Sequence, residues 1–432
     1  IEEHCRGVEG LCGSKPEIWV DYVADLGDGF DSTYAIAYMI GQKVLSVGDL
    51  KLPRADCLIM GGDQVYPDAS RDEYETRMKL PYRAAFPYQR NGEHPKLYLI
   101  PGNHDWYDGL TLFLANFCRG RDTSLGSWIA SQRRSYFAIH LGANWWIWGF
   151  DSQLGEDIDK PQADYFTAIA EKMEPDAKVL LCASVPTWLK ADIAGDKKGQ
   201  EDYYRALHYI ANIVREQCEN AKIPVVLSGD LHHYSRYISK ETGTNFITAG
   251  GGGAFLHPTH HLKDKIKAKW RLQDEFDVLE VGTASDGQIK SFYPPQKVSR
   301  LLALHNLRFV TTNKRFIPVL GGLYAVCALL MLAWNGYDGQ YVSDGFFDNV
   351  TMLWSSPVFL LIVLAFWLGF VKTAEISSRT RRRWVGFFHA LAHLGNLLFG
   401  TASVVTALEY VPFRSVPFFG DILYFFSFLI GM

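Results

Sequence analysis

Four short polar clusters carry side chains able to hold metal ions and to move protons. They are Asp25-Leu-Gly-Asp28, Gly61-Gly-Asp-Gln-Val-Tyr66, Gly102-Asn-His-Asp105 and Gly229-Asp-Leu-His-His233. Carboxylate, amide oxygen, imidazole and phenolate are the donors that hard and borderline metal ions accept. Singly, each cluster has an ordinary explanation: Asp-Gly pairs mark turns more often than metals, and Gly-Gly-Asp also reads as a tight turn with a capping aspartate. Asp230 and His232 lie two apart, so in extended chain both side chains fall on one face and can share a site.

The weight of the four clusters lies in what precedes each of them. Ile18 to Ala24, Asp56 to Met60, Lys96 to Ile100 and Pro224 to Ser228 are short apolar runs that read as core strands, so each polar cluster falls at a strand's carboxyl end. Ligands of open α/β sheets sit at that edge. Helical connectors are expected at Ser32 to Leu45, Leu110 to Arg119, Trp128 to Arg134, Gln162 to Met173 and Glu201 to Cys218. A hairpin is expected from Arg134–His140 and Asn144–Phe150, and further strands at Lys178–Cys182 and Asn245–Ala249. The tryptophans of Asn144-Trp-Trp-Ile-Trp148 read as core anchors rather than a ligand-stacking box. Gly250-Gly-Gly-Gly253 lacks the Lys-Ser/Thr of a nucleotide loop and reads as a place of close backbone approach to the site.

In this order the four clusters resemble the calcineurin-like metallophosphoesterase superfamily, over roughly residues 15 to 295. Asp25-Leu-Gly27 and Gly62-Asp-Gln-Val-Tyr66 match its purple acid phosphatase variant, in which Tyr replaces a carboxylate and Gly a histidine. The resemblance implies an α/β fold, a two-sheet αββα sandwich, and a two-metal site. Asp63 would bridge the metals, with Asp25, Tyr66 and His232 on the first, and Asn103 and Asp230 on the second. Tyr binds as phenolate, which points to Fe³⁺ at the first position. The family pattern is broken twice: Asp230 stands where His is usual, and Ser184-Val-Pro186 aligns where a lone His belongs. The second site is thereby richer in oxygen and suits Mn²⁺, Mg²⁺ or Ca²⁺ better than Zn²⁺.

The expected reaction is hydrolysis of phosphate mono- or diesters by a hydroxide held between metals about 3.5–4 Å apart. His104, oriented by Asp105, would stabilise or protonate the leaving oxygen. Asp28, His233 and His257 are candidates for substrate or supporting contacts, and the histidine-rich loop through His260 and His261 either binds phosphate or faces solvent. The alternative is a weakened phosphoesterase scaffold serving as a membrane-coupled ligand sensor.

The chain has 432 residues and a net charge of −4, which implies no nucleic-acid partner. Seven scattered cysteines form no CxxC pair and agree with a reducing compartment. The chain starts at Ile1 and stops inside an apolar run, the pattern of a piece of a longer protein. A phosphoesterase domain is expected over residues 1–297 and a transmembrane region over 298–432, with spans near 316–334, 351–371, 384–408 and 416–432. Arg300, Arg308, Lys314 and Arg315 precede the first span, and Lys372, Arg379, Arg381, Arg382 and Arg383 separate the second from the third. The positive-inside rule then puts the catalytic domain on the cytoplasmic side of a lipid bilayer. Leu262 to Arg271 reads equally as a helix lying on anionic lipid and as a solvated surface helix. His389, His393 and Asp421 within the spans are either functional or, the preferred reading, helix–helix hydrogen bonds or, for His389, a place near the membrane interface.

Overall fold

A computed structural model describes residues 17–120, 122–152, 157–194, 197–270, 276–283, 290–308, 312–335, 345–373 and 379–410. Cys5, Cys12, Arg271, the fourth expected span with Asp421, and most of the loop between the first two spans lie outside them. The chain forms two compact units, Ile1–Ala303 and Leu304–Met432.

The first unit is a mixed α/β sandwich. Val20–Val23, Cys57–Met60 and Lys96–Leu99 lie side by side and parallel, and Trp128–Ala130 and Thr123–Leu125 extend the sheet to five strands. In the second sheet Trp145–Gly149, Lys178–Ala183, Lys222–Ser228 and Asn245–Ala249 run parallel, flanked by antiparallel strands. Their side chains alternate between two apolar layers, as strands covered on both faces require. Leu58, Met60, Leu97 and Leu99 face the helices outside the first sheet, while Cys57, Ile59 and Ile100 meet Phe137, Ile139, Ile147 and Cys182 of the second sheet. Outside the second sheet, Val179 and Leu181 pack with Phe166, Trp188, Leu207 and Ile210 of its helices.

Two segments depart from expectation because a two-residue period wins over a helical one. Trp128–Ala130 is a strand, hairpinned to Thr123–Leu125 through Gly126, which sits in the left-handed region at φ 62°. Lys265–Lys269 is a strand antiparallel to Phe276–Val281, not a helix. Ile266 and Ala268 are buried between exposed Lys265 and Lys267, so the lysines are the solvated face of a sheet edge. The first helix stops at Gly41, and Val44–Val47 with Leu50–Pro53 forms a small hairpin of its own.

In the second unit, Phe316–Trp334 and Thr380–Thr406 are long and apolar enough to cross a membrane. The expected 351–371 span is two helices, Phe346–Trp354 and Pro357–Lys372, bent by 71°. Pro357 lacks an amide hydrogen and cannot continue the preceding helix, so the chain turns at Ser355-Ser356. His393 meets the Tyr324 hydroxyl of another helix at 2.5 Å, and His389 bonds its own helix at the Val385 carbonyl.

Trp148 is fully buried and stacks on Phe166 at 4.8 Å. Trp148→Ala is expected to cost about 3–5 kcal/mol, read as a shift in the urea transition of the full chain in detergent.

Candidate metal centre

The carboxyl ends of the first sheet's parallel strands bring the clusters together through backbone bonds. Asp25 N–H donates to Gly62 O at 3.0 Å, Leu26 N–H to Asp63 O at 2.8 Å, and Tyr66 N–H to Gly27 O at 3.1 Å. Asp25, Asp63 and Asp230 all have left-handed φ values, 63°, 52° and 64°. For non-glycine residues this conformation is uncommon and is concentrated at functional sites. Glycines make room for the carboxylates. A Cβ on Gly102 would stand 2.1 Å from Asp63 Oδ1, and one on Gly250 would stand 2.2 Å from Asp25 Oδ2. The glycine run is therefore the wall behind Asp25.

At the centre the Tyr66 hydroxyl lies 3.1 Å from Asp25 Oδ1, 3.0 Å from Asp63 Oδ2 and 3.0 Å from His232 Nε2. His232 Nδ1 is 2.7 Å from the Phe255 carbonyl, an acceptor only, so Nδ1 carries the proton and Nε2 presents a lone pair. One phenolic proton thus faces three acceptors. Asp25 Oδ2 is also buried without a hydrogen-bond partner. Burial, then the neighbouring Asp63 and Asp230 charges, holds the Asp25 carboxyl well above the usual range, and burial with Asp230 raises Asp63. Burial and the two aspartates push the Tyr66 phenol far up, and burial lowers His232. Buried oxygen and nitrogen donors held this close, with Asp25 Oδ2 left unpartnered and burial opposing the charge on both carboxyls, fit a bound cation. These donors belong to a set of Asp, Tyr and His; among the described residues there is no group of three or more His, Cys, Asp or Glu placed to hold a metal on their own.

The Asn103–Asp230 side differs. Asp230 Oδ2 is ion-paired with Lys190 Nζ at 2.7 Å. Ser184 Oγ lies 3.2 Å from Ser152 Oγ, and Asn103 Nδ2 donates to the Tyr107 hydroxyl at 2.8 Å. Asn103, Ser152, Ser184, Lys190 and Asp230 line one cavity of about 250 Å³. An ammonium already engaging Asp230, the only carboxylate among the described residues lining this cavity, does not fit a second metal.

Asp105 does not orient His104. Its carboxylate accepts from Gly102 N–H at 2.9 Å, from Gln64 N–H and from the Tyr74 hydroxyl at 2.5 Å, tying two site loops together. Burial and the Asp63 charge push its carboxyl up to about 7, against the pull of those bonds. His104 Nδ1 instead meets the Pro67 carbonyl at 2.5 Å, and its N–H donates to Asp63 Oδ1 at 2.9 Å. Asp28 accepts from Phe255 N–H, on the loop that orients His232. His257 stacks on His232 at 4.3 Å and accepts from its backbone N–H, and burial with His232 lowers it to about 4. His233 is buried with both ring nitrogens unpartnered and is lowered to about 3 by burial and the His257 charge. Sequence reasoning missed Tyr74, Lys190 and Arg77, whose guanidinium donates to the Tyr66 and Asp28 carbonyls. A signal for Lys190 existed: Pro186-Thr187 before Trp188 is a helix start, and the helix Thr187–Ala194 places it.

The family model of calcineurin-like phosphoesterases matches residues 18–234. No curated protein matches the chain. Among solved structures it is similar to GAP50, the anchor in the inner membrane complex of Plasmodium, at 8% identity, covering 64% of this chain and 88% of that one, TM-score 0.39. It is similar to purple acid phosphatase PPD1 from yellow lupin (Lupinus luteus) seeds at 13% identity, covering 65% and 54%, TM-score 0.40. It is similar to PhoD at 10% identity, covering 56% and 58%, TM-score 0.34.

Two outcomes are expected if this cluster holds a cation. Asp25→Asn removes a raised, buried charge and a donor together. The metal-free variant should melt at or above the wild-type temperature, while the gain from added iron, about 2.7 kcal/mol at a hundredfold excess over Kd, is lost; thermal unfolding with and without metal reads both. Because the carboxyls of Asp25 and Asp63 are raised, protons compete with the cation at higher pH than ordinary carboxylates allow. Metal affinity is therefore expected to fall as pH drops from about 7.5 to about 5, as measured by metal titration.

Proposed function

This chain belongs to the calcineurin-like phosphoesterase family, and from that membership we propose that it is a membrane-anchored, metal-dependent hydrolase of phosphate mono- or diesters. The observation that carries the reading is the convergence of Asp25, Asp63 and His232 on the Tyr66 hydroxyl. These four residues would hold Fe³⁺, the ion acidic enough to keep a phenolate at neutral pH. When bound, it supplies Lewis-acid activation of a phosphate ester.

The chain's own residues do the rest. His232 is turned by the Phe255 carbonyl so that only Nε2 faces the centre. Asp63 holds the backbone of His104, and the Pro67 carbonyl accepts from Nδ1–H, so that the imidazolium form would carry its transferable proton on Nε2 and pass it to the leaving oxygen. Asp105 positions both loops without touching the imidazole. The Lys372 and Arg381–Arg383 charges beside the apolar helices support a cytoplasmic location for the catalytic unit. The ligand-sensor reading is the weaker one, since a scaffold has no need of a proton donor held this way.

The test is hydrolysis of an aryl phosphate monoester and diester by the metal-loaded full chain in detergent. His104→Ala is expected to lower kcat by about 10²–10⁴ while leaving metal content and the tyrosinate charge-transfer band unchanged. Absence of turnover in the loaded wild type overturns the enzyme reading.

A further inference from the structure

On the reading of a metal-dependent phosphoesterase, we propose that the Lys190 ammonium, paired with Asp230, is the second cation of this centre, so that the protein works with a single metal ion. The two residues come from different elements. Lys190 lies on the Thr187–Ala194 helix that follows the Lys178–Ala183 strand, and Asp230 lies just past Lys222–Ser228, the neighbouring parallel strand. Their side chains meet at 2.7 Å. Asp230 is joined to the metal cluster, since its backbone N–H donates to Asp25 Oδ1 at 3.0 Å. The ammonium is therefore built into the rim of the centre.

The donor chemistry around it favours an ammonium over a metal. Ser184 stands where an imidazole would be needed, and its hydroxyl is engaged with Ser152. Asn103 contributes a neutral amide, and Asp230, the one carboxylate among the described residues lining the cavity, is paired with Lys190. A second divalent ion would have to displace a fixed positive charge to gain the Asp230 carboxylate, with Asn103 and Ser184 adding only neutral oxygen donors.

Charge balance leads to the same answer. The carboxylates of Asp25 and Asp63 with the phenolate of Tyr66 carry three negative charges, which one trivalent ion neutralises. Asp230 is neutralised by Lys190. One trivalent metal and one ammonium balance these four negative charges, whereas a divalent metal in place of the ammonium would need one further anion. Lys190, Asn103 and Asp230 share the wall of the 250 Å³ cavity. An ammonium carries three N–H donors, and at this cavity wall it would donate to a non-bridging oxygen of a phosphate ester bound at the metal, meeting the charge that a second metal would otherwise meet.

The experiment is metal analysis and EPR on the wild-type full chain, purified in detergent and offered both Fe and Mn. One iron per chain with an uncoupled high-spin ferric signal is expected. Two metals per chain with a spin-coupled signal overturn the single-metal inference and leave the phosphoesterase reading standing, whereas no bound metal overturns both. Lys190→Ala and Lys190→Arg then report on the ammonium itself. Lys190→Ala is expected to lower kcat on an aryl phosphate about 10²-fold with the iron and its charge-transfer band retained, and Lys190→Arg to recover part of that loss. An unchanged kcat in Lys190→Ala overturns the role of the ammonium. Lys190→Ala combined with Asp230→His is expected to take up a second metal, and an unchanged stoichiometry in a folded double variant, judged by its retained band, counts against the inference.

Discussion

The Tyr66 hydroxyl set among three acceptors is the constraint on which the phosphoesterase unit turns. Tyr66 can satisfy only one of Asp25, Asp63 and His232 at a time, and none of them reaches water freely. A bound cation would relieve such a cluster, because each buried, unsatisfied lone pair costs about 1–3 kcal/mol. The surroundings are arranged to hold the arrangement open. Three aspartates sit in left-handed backbone, two glycines clear the space beside their oxygens, and a carbonyl rather than a carboxylate turns His232. A carbonyl fixes the tautomer without adding a further negative charge to a centre already crowded with them.

Most of what positions this centre is legible in the sequence. Strands covered on both faces announce themselves as short apolar runs, and Asp25, Asp63, Asn103 and Asp230 follow those runs at the edge where parallel sheets bind ligands. Periodicity fails where side chains of one segment serve two readings. In Leu262 to Trp270, Leu262, Ile266 and Trp270 recur at helical spacing, but Ile266, Ala268 and Trp270 also alternate, and pairing with Phe276–Val281 decides for the strand. Only the partner strand settles that choice, and it is remote in sequence. Trp128–Ala130 is decided likewise by Lys96–Leu99 and Thr123–Leu125.

The residues that sequence reasoning did not find share one property: they act on the site from elements with no motif of their own. Tyr74 and Arg77 lie on Tyr74–Lys79, a π-helical stretch within a longer helix, and reach Asp105 and the Tyr66 and Asp28 carbonyls. π-bulges recur at functional sites because the extra residue per turn redirects side chains. Lys190 is one cation among many in the sequence and gains meaning only from the 2.7 Å that separates it from Asp230. The Asp105 case is the converse. Adjacent to His104 in sequence, it looks like the imidazole's partner, yet at the start of a helical turn its carboxylate is drawn back to the Gly102 and Gln64 amides.

This division of labour has an energetic consequence. Left-handed backbone at a non-glycine residue costs of order 1–3 kcal/mol at each position, and Asp25, Asp63 and Asp230 incur it together with the burial and the mutual repulsion that raise the carboxyls of Asp25 and Asp63. The metal-free fold must therefore draw on stability from elsewhere. The sandwich supplies it, with Trp148, Phe166, Trp188 and Phe246 packed against the second sheet. Asp105 and its amide partners keep the loops from relaxing out of the strained form, so the site is preorganised for a cation rather than assembled by it. A cation bound there would recover electrostatic energy without the cost of ordering loops.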